Sequence, residues 1–272
     1  MNIVITGGSG FVGSYLCEKL INDGHEIIVV DNLLTGSTEN INHLMHNENF
    51  SFIEHDVQNH IEIENKVDYV LHFASAASPK AYTEHPVNTL KAGSVGTINT
   101  LGLAKKHDAE YLLASTSEVY GDPLISPQTE EYWGNVNPNG ERSMYDEAKR
   151  FAEAAVATYS RSYDLKTKIV RIFNTYGPRM QLNDGRVVTN FIVQALKNEN
   201  ITIYGDGSQT RSFSYVEDTV AGIISLMNSS EYDVFNIGNP NEMTVGQLAE
   251  KIIELTDSTS EIKYLELPND DP

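Results

Sequence analysis

Tyr145 and Lys149 stand four residues apart in "MYDEAKRFAEA", which on a helix places them on one face, one turn apart. A free phenol, with its pKa near ~10, acts as a base near neutral pH only if its anion is stabilised, and an ammonium group one turn away does this. A second set of reactive types lies upstream in "ASTSEVYGD", residues 114–122. There Thr116, Ser117 and Glu118 follow an apolar run, at a point where apolar residues would otherwise continue. A threonine hydroxyl at that point can orient the substrate oxygen that the phenol deprotonates. Tyr-x-x-x-Lys spacings are common on helix surfaces, so the meaning of this one rests on the elements that hold it.

Those elements alternate. "NIVIT" (2–6), "EIIVV" (26–30), "FSFIE" (50–54), "DYVLHF" (68–73), "EYLLAS" (110–115) and "KIVRIF" (168–173) read as strands. They are β-branched and too continuously apolar for a sheet wetted on one face, as in parallel sheets covered on both sides. Helical patterns run between them at 11–23, 86–106 and 143–164. The alternation predicts an α/β fold with a Rossmann-type, doubly wound parallel sheet. After residue 174 the texture changes to a turn-rich stretch, "NTYGPRMQLNDGR". Helices are expected near 187–198, 216–228 and 244–256, with short strands "ITIYG", "DVFNIG" and "IKYLEL". This reads as a dinucleotide-binding domain over 1–174 and a smaller α/β lobe over 175–272 that covers the open sheet edge and binds substrate.

Gly7, Gly10 and Gly13 in "IVITGGSGFVGSYL" sit between the first strand and the first helix. This spacing permits a tight turn, close approach of backbone to a pyrophosphate, and close helix–strand packing. The helix start at Phe11 and Val12 offers free N–H groups and partial positive charge to phosphate. Asp31 ends the second strand eighteen positions after Gly13, where a carboxylate accepts hydrogen bonds from an adenosine ribose and repels a 2′-phosphate. NAD is therefore expected rather than NADP. Asp56 and the Val57 backbone after the third strand could face an adenine edge, a less specific signal. Phe11 stands where a nucleophile elbow would need its last glycine.

Among 272 residues the net charge is −19, which opposes binding to nucleic acid or anionic membranes. An anionic substrate would need a local basic pocket. The lone cysteine, Cys17, allows no intrachain disulfide and is expected as a buried apolar thiol in the first helix. His43, His46, His55 and His60 lie across loops without cysteine partners, and no metal site is expected. With no long apolar run and no secretory leader ahead of "MNIVITGG", the expected compartment is the cytoplasm.

The glycine loop, "DNLLTG", "LHFASAASP", "ASTSEVYGD" and the Tyr145/Lys149 pair resemble the extended short-chain dehydrogenase/reductases that act on nucleotide sugars. "YWGNVNPNGERSMYDEAKR", "RIFNTYGPRMQLNDGRVVTNFI", "YGDGSQTRSFSYVEDTV" and "NIGNP" resemble in particular its UDP-glucuronate decarboxylases. That resemblance implies NAD as a regenerated cofactor and a UDP-sugar as substrate. It also implies oxidation at C4, loss of carbon dioxide from the resulting β-keto acid, and return of the hydride to give UDP-xylose. It implies Thr116, Glu118, Tyr145 and Lys149 as catalytic residues. Asn32, Thr35, Gly36, Ala74, Ser75, Thr175 and Arg186 would join the cofactor site. Lys91, Ser117, Asn174, Asn190, Tyr204, Gly205, Arg211 and Tyr215 would meet the substrate.

Ser117 gains a meaning from this chemistry. Dehydratases of the family carry Asp-Glu after the threonine and use the acid to expel a C6 hydroxyl, whereas a decarboxylation needs no such acid. Glu118 would either help reprotonate C5 or hold the sugar ring. A 4,6-dehydratase, a 4-epimerase, a decarboxylase of UDP-N-acetylglucosaminuronate and a catalytically silent NAD-binding sensor remain as alternatives. The resemblance further implies a homodimer built on the helices near 86–106 and 143–164, and a continuation past "DDP" into a basic segment and a terminal helix.

Overall fold

Apolar residues on both faces of each central strand force the chain into layers. In the computed structural model, which describes residues 1–266, β1 (Asn2–Thr6) pairs in parallel with β2 (Glu26–Asp31) and with β4 (Tyr69–His72). β3 (Phe50–Glu54) extends the sheet beyond β2, while β5 (Glu110–Thr116), β6 (Thr167–Ile172) and β11 (Val234–Ile237) extend it beyond β4. The resulting seven-stranded order is β11-β6-β5-β4-β1-β2-β3, all parallel. Strand order reverses between β1 and β4, and ligands of such sheets bind in the crevice at that switch point, outside the carboxyl ends of the strands.

Alternate residues of one strand feed different cores. Ile3 and Ile5 pack with α1 (Phe11–Asn22) and α7 (Val216–Met227), whereas Val4 packs with Leu101 and Ala104 of α4 (Thr97–His107) and Ala152 of α5 (Ser143–Tyr163). Cys17 is fully buried in the first of these cores, and burial pushes its thiol pKa up.

One expectation changes. The continuous helix over 86–106 is instead α3 (Pro86–Lys91), a π-helical stretch over Ala92–Gly96, and α4, preceded by the short α2 (Pro79–Glu84). The reason is contact with α5: a Cβ on Gly93 would lie 2.7 Å from the Ala148 side chain. The elements after residue 174 also divide between the main sheet and the second lobe. Helix 216–227 packs on α1, and strand 234–237 is the outermost strand of the main sheet. The β6 backbone would otherwise be an unpaired sheet edge, which proteins cover; a short run such as "DVFNIG" does not say which edge it will join.

What remains of the second lobe is built on α6 (Val187–Leu196), α8 (Val245–Thr256) and the parallel pair β8 (Ile201–Tyr204) and β13 (Ile262–Leu265). Phe191, Ile203, Leu248 and Ile252 form its core. Two small ribbons complete it: β7 (Thr175–Tyr176) beside β10 (Ser214–Tyr215), and β9 (Thr210–Ser212) antiparallel to β12 (Glu242–Thr244). The "NDDP" element noted in the sequence lies outside the described residues.

Candidate active site

The glycine loop has the shape its spacing predicts. Gly7 has φ +74°, and a Cβ there would lie 2.7 Å from the Ala74 backbone nitrogen; a Cβ on Gly13 would lie 2.3 Å from the Gly7 carbonyl oxygen. Gly10 caps α1 with no side-chain hydrogen bond, which leaves the first-turn N–H groups, at Phe11 and Val12, to an outside acceptor. Asp31 is buried and accepts from Ser9 N at 3.0 Å and Leu33 N at 2.9 Å. Burial pushes its pKa up, and the Leu33 and Ser9 N–H groups act the other way.

Gly36 lies beside that carboxylate, and Asn32 donates to Asp56 at 3.2 Å. Val57 is buried against Gly96, and the Thr35 carbonyl accepts from Gln181. Ala74 N donates to Thr6 Oγ1 at the wall of the loop, with Ser75 next to it in the chain. Ser9 Oγ is buried and has no partner among the described residues. The backbone cradle, the uncapped helix start and the strand-end acid fit a dinucleotide. A cleft of about 460 Å³ adjoins them, lined by Leu34 and Thr35, by α2 and by Gln181–Asp184.

β5 delivers the second half of the site. Thr116 is its last residue, and Ser117–Tyr120 form a single 3-10 turn whose Glu118 N–H donates to Thr116 Oγ1 at 3.2 Å. Tyr145 lies in the first turn of α5, buried, with its ring stacked on Tyr82 at 5.2 Å between centroids. Burial pushes its phenol pKa up. The Thr116 hydroxyl and Arg186 favour the phenolate, while Glu118 and Tyr82 oppose it.

Lys149 is also buried, and its Nζ donates to the Ala114 carbonyl at 2.9 Å and stands 5.8 Å from the Tyr145 ring centroid. Burial brings its pKa down to about 8, against the pull of Glu153. His72, at the end of β4, is bonded to Thr6 Oγ1 at 2.7 Å and Thr97 Oγ1 at 3.3 Å. Thr97 fixes its tautomer: its one hydroxyl proton goes to Gly93 O, so it accepts from Nε2–H, and Nδ1 of the neutral ring is left to accept from Thr6.

Sequence reasoning missed two residues here. Arg142, just before α5, donates to Glu118 and lies over the Tyr82 ring at 6.0 Å. Asp146 is buried, and burial raises its pKa to about 7. Asp146 Oδ1 and Arg142 Nε have no hydrogen-bond partner among the described residues. The spacing of Arg142 and Asp146 in "GERSMYDEAKR" was the available signal; the pairing with Glu118 is tertiary and left no trace in either segment.

The other residues expected at the substrate are placed as follows. Arg186 Nη2 donates to Ala77 O at 2.9 Å, and its charge reaches Tyr145. Thr175 donates to Phe173 O and bonds Thr219 on α7. Tyr215 meets the Tyr176 ring edge-on at 5.6 Å. Asn174, Asn190, Tyr204 and Arg211 are exposed on the second lobe or its approach, Gly205 follows β8 with its N–H on Leu265 O, and Lys91 is exposed at the end of α3. The structure thus joins Thr116, Glu118, Tyr145, Lys149 and Arg186 around one point and spreads the rest along the lobe.

A switch-point glycine loop, a strand-end acid and a Tyr/Lys pair on a facing helix define a dinucleotide-binding Rossmann protein. The chain belongs to the NAD dependent epimerase/dehydratase family, whose model matches residues 3–238. It is 53% identical over 270 residues to UDP-glucuronic acid decarboxylase 1 of Xenopus tropicalis, covering 99% of this chain and 64% of that one. It is 52% identical over 273 residues to UDP-glucuronic acid decarboxylase 3 of Arabidopsis thaliana, covering 100% and 79%. Among solved structures, the UDP-glucose 4-epimerase of Thermotoga maritima with UDP-glucose superposes with TM-score 0.90 at 32% identity, covering 100% of this chain and 87% of that one. The dTDP-glucose 4,6-dehydratase of Bacillus anthracis in complex with NAD superposes with TM-score 0.85 at 28% identity, covering 98% and 84%.

Proposed function

We propose that this protein is an NAD-dependent UDP-glucuronate decarboxylase that forms UDP-xylose. The observation that carries the reading is at the end of β5. Ser117 is neutral where a dehydratase carries an acid, and Glu118 is taken up in an ion pair with Arg142, so that turn offers no free carboxyl group to expel a hydroxyl as water. The identity to proteins named UDP-glucuronic acid decarboxylase supports it independently, although the chain spans less than two thirds of the Xenopus relative's length.

The glycine loop and Asp31 would hold NAD, which would supply the hydride acceptor for C4 oxidation and the donor for its reversal. Tyr145 takes the proton of the C4 hydroxyl while Thr116 hydrogen-bonds the same oxygen. Lys149 and Arg186 supply the positive charge that offsets the cost of a buried phenolate. In the β-keto acid, the electron pair of the C5–carboxylate bond passes toward the C4 carbonyl as an enolate and carbon dioxide leaves. A protein acid or water then protonates C5, and Tyr145 returns its proton to the C4 oxygen. Positioning and electrostatics are the protein's share of this chemistry.

In this reading, residues 1–174 carry the cofactor and residues 175–272 mainly carry the UDP-sugar through Asn174, Asn190, Tyr204, Gly205, Arg211 and Tyr215, with Lys91 reaching the site from α3. Ser117 faces the sugar carboxylate. Exposed Val87, Leu90, Val95, Ile98 and Phe151 on α3, the π-helical stretch, α4 and α5 supply an apolar face for a homodimer. The product would serve polysaccharide biosynthesis from the cytoplasm; among the described residues no helix is long and apolar enough to cross a membrane. The test is incubation with NAD and UDP-glucuronate, following carbon dioxide release and the sugar by NMR. UDP-xylose is expected; a 4-keto-6-deoxy or C4-epimerised product from another UDP-sugar, with UDP-glucuronate untouched, would overturn the reading.

A further inference from the structure

Two helical turns beyond Tyr145 on α5 lies a buried ionic cluster that the proposed chemistry leaves unused. Glu153 is on α5 one turn after Lys149, so Tyr145, Lys149 and Glu153 form one stripe. Lys149 Nζ bonds Ala114 O at 2.9 Å, and Ser115 Oγ donates to Glu153 at 2.5 Å. The helix is therefore pinned to the two consecutive strand residues that precede Thr116. Arg171 stands on β6 opposite Ser115 in register. It grips Glu153 with two bonds, Nε at 3.0 Å and Nη2 at 2.7 Å.

Arg171 Nη1 reaches further, to Tyr120 OH at 2.9 Å and Glu130 O at 2.9 Å, and Tyr120 OH donates to Asn236 on β11 at 2.7 Å. Tyr120 closes the 3-10 turn that Thr116 opens. The side chains of Arg171 and Glu153 are 11% and 14% exposed. They form the floor of a cleft of about 330 Å³ walled by Tyr132, Trp133 and Val234, outside the Tyr145 site. A fork-to-carboxylate pair at this depth fixes geometry as well as charge.

We infer that Glu153, locked by Arg171, is a positioning residue that sets the Thr116–Glu118 turn and the Lys149 ammonium for catalysis. The geometry makes two demands on one carboxylate. Through Ser115 it fixes the last strand residues, and its charge faces Lys149 from the same helix. The other titratable groups facing Lys149 are Tyr145 on α5 and His72 on β4, and burial keeps both neutral, the phenol with its pKa raised and the imidazole with its pKa brought down to about 3. Glu153 is thus the counter-charge that opposes the burial penalty on Lys149.

The turnover arm of the test rests on the proposed decarboxylation; the titration arm does not. Glu153→Gln, Glu153→Asp and Ser115→Ala are compared with wild type for kcat and KM across pH, and for the Lys149 ¹³Cε titration in labelled protein, its resonance assigned by loss in Lys149→Met. In Glu153→Gln, kcat is expected to fall roughly tenfold or more with KM within about twofold, and the Lys149 midpoint to move below its wild-type value. Glu153→Asp should restore part of both, and Ser115→Ala should lower kcat with the midpoint kept. If Glu153→Gln does not fold, Ser115→Ala and Glu153→Asp decide by the same readouts. A fall in melting temperature alone, with kcat and the midpoint unmoved in the folded variants, would overturn the inference. Wild type inert toward UDP-glucuronate but with a Glu153-dependent midpoint would remove the functional reading and leave the pair standing.

Discussion

Arg142 bonds Glu118 across 24 residues of chain and thereby joins the mouth of α5 to the end of β5. Under the proposed function, the bond explains how a carboxylate can sit beside a uronate in a protein of net charge −19 without repelling it: its charge is already answered. Arg142→Ala should leave Glu118 uncompensated, weaken UDP-glucuronate binding and lower kcat/KM by roughly tenfold to a hundredfold. NAD affinity, measured by calorimetry, should be unchanged. Unchanged kcat/KM would remove Arg142 from the site.

Tyr145→Phe removes only a hydroxyl. Turnover is expected to drop by about 10²–10⁴-fold, the usual worth of a placed acid–base group, while NAD binding is kept. Decarboxylation of UDP-glucuronate at a normal rate in this variant would reassign the base.

Asp146 should make stability pH-dependent. Its folded pKa of about 7 lies above the ordinary 3.8, so between those values the folded state holds a proton that the unfolded chain has lost. Stability from this group is full at low pH and declines as pH rises through that window. Asp146→Asn should remove the decline and raise the melting temperature at pH 8, by an amount on the order of 1–3 kcal/mol of stability. Thermal unfolding at pH 5 and pH 8 checks this; equal gains at both would rule out the titration as the cause.

Gly13→Ala tests the loop. The added methyl would meet the Gly7 carbonyl at 2.3 Å, so the backbone must shift where a pyrophosphate would approach. NAD affinity should fall by at least roughly a hundredfold, with the far-ultraviolet spectrum unchanged. Wild-type affinity would move the phosphate site elsewhere.

Much of this was legible in the residues. The continuous apolar strands, the glycine spacing before α1, Asp31 and the Tyr145/Lys149 turn each carry a local reason, and the structure gives each the element expected. The failures are tertiary. The break in the helix over 86–106 depends on how closely Gly93 approaches Ala148. Nothing in "DVFNIG" says that it will cover β6 rather than join the lobe. Arg142, Asp146 and Glu153 look like the solvated charges of an exposed helix face until β5 and β6 are laid against them.

The path of the chain around β11 has a mechanical consequence. The polypeptide leaves the sheet after β6, comes back through α7 and β11, and departs again at Gly238, whose Cβ position is only 2.9 Å from the Phe173 side chain at the first exit. Two neighbouring tethers and a returning one deny the outer lobe a single hinge, so a wholesale swing would tear an edge strand from the sheet. Ligand traffic would instead pass by local yielding of surface segments, with the two halves of the cleft kept in step through the proposed oxidation and re-reduction of one carbon.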